Sequence, residues 1–203
     1  MQKGSLVVVG GRNTGKTTLL LEKTKQLVED GYKVIVLDSA TEHEGKSLLR
    51  KVQALYPEVK AHSIEDESKV VIDDLGVRDF SDTYHDAWPY DIINEDDQII
   101  GFDLSYFLEK GHDVYDETED IEQYRYYRKL YNDAAQQLLI SLILKEKEDG
   151  NDKIAIVMDE IEFPIVDYGL KLDKSNMLII AAVHPENAQG TFYRETQKLT
   201  HKR

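Results

Sequence analysis

Gly10-Gly11-Arg12-Asn13-Thr14-Gly15-Lys16-Thr17 is the stretch from which the rest of the chain can be read. Its spacing fits G-x-x-x-x-G-K-[ST], the P-loop pattern. Before it, Ser5-Leu6-Val7-Val8-Val9 is a short β-branched run that reads as a buried strand. After it, Thr17 to Asp30 reads as a helix, with Leu19, Leu20, Lys23, Leu27 and Val28 along one face. Strand, glycine loop, helix is the order that phosphate binding needs. Glycines let backbone approach an anion closely, and the N–H groups at the helix start present partial positive charge to it. The candidate nucleotide-binding residues are therefore Gly10, Gly11, Arg12, Asn13, Thr14, Gly15, Lys16, Thr17 and Thr18. Lys16 would reach the β- and γ-phosphates as a point charge, and the Thr17 hydroxyl would ligate Mg²⁺.

A second stretch answers the first. Lys153-Ile154-Ala155-Ile156-Val157-Met158-Asp159-Glu160 runs apolar residues into two acids, the Walker B pattern, about 140 residues beyond the glycine loop. A buried strand must deliver one carboxylate to the Mg²⁺ shell and a second to the attacking water. Asp159 fits the first role and Glu160 the second, as general base or water-orienting group. Asn176 to Val183 reads as another buried strand, ending at His184-Pro185. By order along the chain, His184 stands where a residue sensing the γ-phosphate would be, or it is a loop histidine before the proline.

Between these motifs, Tyr32 to Leu37 reads as a second buried strand. With the preceding helix it makes a βαβ unit, hence a parallel sheet. Asp38 and Glu42 follow it; they either face a ligand crevice or cap the next helix, which the spacing of Leu48, Leu49, Val52 and Leu55 puts over Glu44 to Leu55. Lys69 to Ile72 reads as a strand. Asp73 to Asp97 is acidic and holds Tyr84, Trp88 and Tyr90, rings that pack this stretch down or meet a partner. Gln98 to Ser105 reads as a further strand, and acidic residues 113–122 follow. Glu119 to Glu148 is the longest periodic element, with Ile121, Tyr124, Tyr131, Leu138, Leu139, Leu142 and Ile143 on one side. Arg125 and Arg128 near its start either clamp phosphate or, the commoner use, pair with the acids upstream. Residues 186–199 read as a closing helix, with Arg194 a candidate phosphate contact.

Composition bounds the rest. The chain has 203 residues and a formal net charge of -14. Residues 58–122 hold 21 Asp and Glu against 4 Lys and Arg, a balance of -17; the remainder holds 18 acids and 21 bases, a balance of +3. The acidity belongs to one segment, which disfavours a nucleic-acid phosphate backbone as partner there and leaves a protein partner as the expectation for it. The basic end Lys198 to Arg203 is the best candidate for a local patch that holds a phosphate backbone, or, the commoner case, a solvated tail. With no cysteine, no apolar run long enough to span a membrane and a first strand close behind Met1, the expectation is a cytoplasmic protein without a signal peptide or membrane span. The fold class expected is α/β: a single P-loop NTPase domain over 1–203, its sheet mostly parallel with helices on both faces, with an acidic insertion at about 57–122.

Three stretches resemble HerA/FtsK-type P-loop ATPases. Val34 to Glu42 (V-I-V-L-D-S-A-T-E) looks like their second strand. Ile99 to Ser105 (I-I-G-F-D-L-S) is similar to their Asp-Leu-Ser strand, followed here too by a long helix and the Asp159-Glu160 strand. Ile179 to Pro185 resembles their sensor strand, although Val183 or His184 stands where a Gln is expected. The resemblance implies a RecA-like core that hydrolyses ATP to move DNA or protein, usually as a hexameric ring. By position it gives Lys16 and Thr17 the phosphate and Mg²⁺, Asp159 the metal shell, and Glu160 the catalytic water. Two other functions compete on the same residues: a nucleoside or nucleotide kinase, with Arg125 and Arg128 in a lid, and a nucleotide switch without turnover that docks through its acidic segment. ATP is preferred over GTP because no guanine-reading Asn/Thr-Lys-x-Asp is present.

Overall fold

The computed structural model describes residues 6–11, 13–40, 47–70, 89–93, 97–149, 153–159, 161 and 177–184. Six strands are formed: β1 Leu6–Val9, β2 Lys33–Asp38, β3 Ala61–Ser63, β4 Ile99–Asp103, β5 Ile154–Asp159 and β6 Leu178–Val183. The helices are α1 Lys16–Glu29, α2 Leu48–Leu55, the short α3 Tyr90–Ile93, α4 Ser105–Thr118 and α5 Ile121–Asp149. The strands make one sheet in the order β1-β6-β5-β2-β4-β3, and each pairing is parallel. The expected α/β class with a parallel sheet and helices on both faces is what the chain adopts.

The alternation of the strands sorts their side chains onto two faces. Val34, Val36, Ile99, Ala155, Val157, Ile180 and Ala182 pack under α1 and α2 with Leu20, Leu27, Leu48, Leu49 and Val52. Ile35, Leu37, Ile100, Phe102, Ile156, Met158, Ile179 and Ala181 face the other way, onto α4 and α5 through Phe107, Leu130, Tyr131, Ala134, Leu138 and Leu142. Strands covered on both faces have no polar side to show, which is why β2, β5 and β6 read as unbroken apolar runs. The central strands are almost wholly buried, so the strength of this fold lies in the middle of the sheet.

Several elements depart from the sequence reading. Lys69 closes a short 3-10 turn, Glu67–Lys69, whose start is capped by Asp66 accepting from Ser68 N; the rest of the strand expected there, 71–72, lies outside the described residues, and 61–63 form β3. Acidic residues 113–118 belong to a helix, α4, that the charge pattern concealed. Leu55 and Ile121, both assigned to apolar faces, are each 44% exposed. Within 57–122, β4 lies between β2 and β3 inside the sheet and α4 packs on α5, so these parts are integral to the body. Tyr84, Trp88, the closing helix expected at 186–199 and the basic stretch 198–203 lie outside the described residues. Among the described residues no helix is long and apolar enough to cross a membrane.

Candidate functional site

In an all-parallel sheet every strand ends on the same edge, so polar residues that follow the strands gather there. The glycine loop follows β1, Asp38 and Ser39 end β2, Asp103 ends β4, Asp159 ends β5 and His184 follows β6. Because β6 lies between β1 and β5, His184 leaves the sheet between the glycine loop and Asp159.

The loop is a tight turn fastened to the sheet at its start, where Gly10 N–H donates to the Val183 carbonyl of β6 at 3.3 Å. A Cβ on Gly10 would collide with the Thr14 hydroxyl, so the loop closes this tightly only with glycine there. Asn13 (φ 62°) and Gly15 (φ 85°) both take the left-handed conformation, which costs most residues about 1–2 kcal/mol and which glycine and asparagine adopt most readily. The Gly11 carbonyl accepts from the Thr14 hydroxyl at 2.9 Å and from the Lys16 ammonium at 3.1 Å. Lys16 is only 9% exposed, its head group folded back over the loop. Helix α1 then starts at Lys16, its first bond running from Leu19 N–H to the Gly15 carbonyl at 3.0 Å. The N-cap residue, Gly15, has no side chain to cap this N-terminus, which lies at the strand-end edge with its first-turn N–H groups outside the helix's own ladder.

Asp159 is fully buried. It lies two residues beyond Val157, whose side chain packs beneath α1, and strand alternation therefore turns the carboxylate to the α1 side of the sheet. Asp38 and Asp103 stand level with it: Asp38 is in register with Asp159 on one side and with Asp103 on the other. The three aspartates thus share one row and one face, but they are differently employed. Asp38 is committed to α2. Its carboxylate accepts from Ser47 Oγ at 2.7 Å, Leu49 N at 2.8 Å and Ala40 N at 2.9 Å, while Ser47 itself caps α2 by accepting from Arg50 N. Burial pushes the Asp38 carboxyl above its usual range; those three donors pull it down, and Asp103 adds a smaller push upward. Of the two readings open for Asp38, helix capping is the one its hydrogen bonds realise. Asp103 accepts from Ser105 N at 2.9 Å at the start of α4.

Arg125 pairs with Glu122 at 2.8 Å, and Arg128 donates to the Tyr124 hydroxyl at 2.9 Å. Both lie on α5 among its own neighbours, as the acid-pairing reading expects of Arg125. Two hydroxyls that the sequence reading passed over join the strand ends to α5: Tyr131, fully buried, donates to Ser39 Oγ at 3.3 Å, and Ser39 N–H donates to the Asp159 carbonyl at 3.4 Å. The signal available was a tyrosine, Tyr131, at the start of the buried part of the stripe on α5. Arg12, Glu42, Glu160 and Arg194 lie outside the described residues, so the pairing of Asp159 with Glu160 rests on sequence.

The donor set suits a hard cation shared with phosphate. Among the described residues no group of three or more His, Cys, Asp or Glu side chains is placed to hold a metal by itself. A hydroxyl such as that of Thr17 and a buried carboxylate such as that of Asp159 would be a sparse oxygen set of the kind that binds Mg²⁺ when a substrate's phosphates and water supply the rest. No protein-family model matches the chain, and no curated protein sequence matches it.

Proposed function

We propose that the chain binds ATP with Mg²⁺ at the strand-end edge and hydrolyses it, as a P-loop ATPase of the HerA/FtsK-like motor type. One observation carries the reading. The start of α1, with its tight glycine loop and buried lysine, and the buried carboxylate of Asp159 lie on one edge and one face of the sheet. This is the arrangement that holds a triphosphate between a cradle of N–H groups and a metal-binding acid.

In this reading the loop N–H groups and the start of α1 hold the phosphates. Lys16 exchanges the Gly11 carbonyl for phosphate oxygens, a short swing for a side chain already seated on the loop. Thr17 and Asp159 would hold Mg²⁺, which when bound neutralises charge on the phosphate oxygens. Glu160 takes the proton of the attacking water or orients it, and His184 contacts the terminal phosphate, a role that its position after β6, between β1 and β5, supports. Coupling of turnover to the movement of DNA or protein, and assembly into a ring, are the parts of the proposal that rest on the resemblance.

The test is steady-state ATP hydrolysis against protein concentration, beside Lys16→Ala and Glu160→Gln. Expected is turnover whose specific activity rises with concentration, as a shared site between subunits requires. Lys16→Ala should lose nucleotide binding, and Glu160→Gln should bind ATP while its turnover falls by about 100-fold or more. ATP bound without turnover at any concentration would overturn the ATPase reading in favour of the switch.

A further inference from the structure

Helices α4 and α5 do more than cover a face. From Leu130 to Leu142 α5 packs on the sheet, a length of about 18 Å, close to the height of strands of five or six residues. None of residues 121–129 is buried, and in α4 nothing beyond Gly111 is buried. Since α4 starts where β4 ends and α5 returns toward the start of β5, this unburied half projects beyond the strand-end edge as a helical arm of about 13 Å. Its two helices approach closely where Gly111 faces Tyr127 and Tyr124; a Cβ on Gly111 would lie 3.1 Å from Tyr127 Cβ. Its base is fastened to the body. Lys110 pairs with Glu67 at 3.2 Å and sits over the rings of Tyr106 and Tyr127, and the Tyr126 hydroxyl donates to the other oxygen of Glu67 at 2.9 Å.

The arm carries an aromatic stripe on one flank. His112 and Tyr115 of α4 lie against Tyr124 of α5, with ring centroids 5.4 and 5.7 Å apart, and the Arg128 guanidinium sits over the same ring. Ile121, one turn before Tyr124, extends the stripe to the tip. Among the described residues four large hydrophobic side chains are exposed, and three of them, Tyr115, Ile121 and Tyr126, belong to this arm. Around the stripe stand Asp113, Asp116, Glu117, Glu119, Asp120 and Glu122, with no Lys or Arg between residues 112 and 123. An apolar stripe with a mostly acidic rim, Arg128 on Tyr124 and Arg125 paired with Glu122 being its basic members, is the form of an interaction site.

We propose that this arm docks a protein partner through a basic, amphipathic helix or strand, whose apolar side chains cover Tyr115, Ile121 and Tyr124 and whose Lys and Arg meet the carboxylate rim. Charge complementarity selects this occupant: a nucleic-acid backbone or an anionic lipid surface is repelled by the same rim. The proposal names the face through which the acidic segment would act, and it holds whether or not the chain turns over ATP.

The test uses the full chain and two synthetic peptides of equal charge, one of lysine and leucine patterned as an amphipathic helix, the other of lysine and serine. Binding is read by fluorescence anisotropy across a salt series. Expected is saturable binding of the lysine–leucine peptide, weakening with salt. Tyr115→Ala with Ile121→Ala should reduce its affinity about tenfold or more, while Leu55→Ala, an equally exposed leucine on α2, leaves it unchanged. Asp113→Asn, Asp116→Asn and Glu117→Gln together should flatten the salt dependence. Circular dichroism and thermal melts establish that each variant keeps its helices. Equal binding of the two peptides, no loss on Tyr115→Ala with Ile121→Ala, or no binding at all would overturn the proposal.

Discussion

Asp38 is where chemistry and architecture compete for one carboxylate. It is 1% exposed, and burial raises its pKa despite three hydrogen bonds. Asp38→Ala leaves the Leu49 N–H buried without its acceptor and removes the anchor of α2, a loss of about 1–3 kcal/mol that a urea titration would read. The pH dependence has a definite sign. Because the folded pKa lies above the usual 3.8, the folded chain binds more protons than the unfolded chain between those two values. This group's contribution to stability is therefore fully present below 3.8 and is lost as pH rises through the folded pKa. Asp38→Asn lacks that titration, so the wild-type advantage over it should be largest in acid and narrow toward neutral pH. The placement of the glycine turn, of Lys16 at the start of α1 and of Asp159 at the end of a buried strand was legible in the sequence, because strand, glycine turn and helix follow one another in linear order. Asp38 was not, because an acid after a strand and an acid before a helix are the same letter until the helix start at Ser47 folds back onto it.

At the scale of elements, legibility followed burial. Strands β2, β5 and β6, covered on both faces, announce themselves as apolar runs. Strand β3 is three residues, Ala61-His62-Ser63, none of them buried, and its pairing with β4 leaves no pattern in its own letters. Helix α4 was hidden because it buries little beyond Ser105, Phe107 and Gly111 and shows its charges elsewhere. The pairing of helix to sheet also depends on a residue that carries no pattern. Gly101 lies in β4 beneath α2, where a Cβ would collide with the Leu49 side chain and come within 3.1 Å of the Lys60 carbonyl. Gly101→Val should destabilise the chain by about 1–3 kcal/mol. Adding Leu49→Ala should recover part of that loss, since the leucine can be removed but the Lys60 backbone cannot yield; a double-mutant cycle in denaturant measures the coupling.

For the molecule as a whole, α5 joins two regimes in one helix. Amides from Leu130 to Leu142 lie over the sheet and should exchange with solvent only through global unfolding. Those from Gln123 to Lys129 should exchange orders of magnitude faster, through local opening of the arm, as hydrogen exchange resolved along the helix would show. A flat profile would mean that the arm is as firmly held as the core. The strand order was the part of the architecture that no sequence feature disclosed, since parallel neighbours are chosen by crossovers rather than by local signals.

That order has a consequence for how the molecule is made. Strand β1 is the first of the described strands to leave the ribosome, and its neighbour in the sheet is β6, with Val7 level with Ala181. About 170 residues separate them, on the order of ten to thirty seconds of synthesis. Throughout that interval the apolar run Leu6–Val9 lacks β6, its neighbour among the described strands, and the bond from Gly10 to Val183 that fastens the glycine loop cannot form. The loop that is written first is thus completed last, and a nascent chain stalled anywhere before β6 exposes an unpaired sticky edge to chaperones or to other chains.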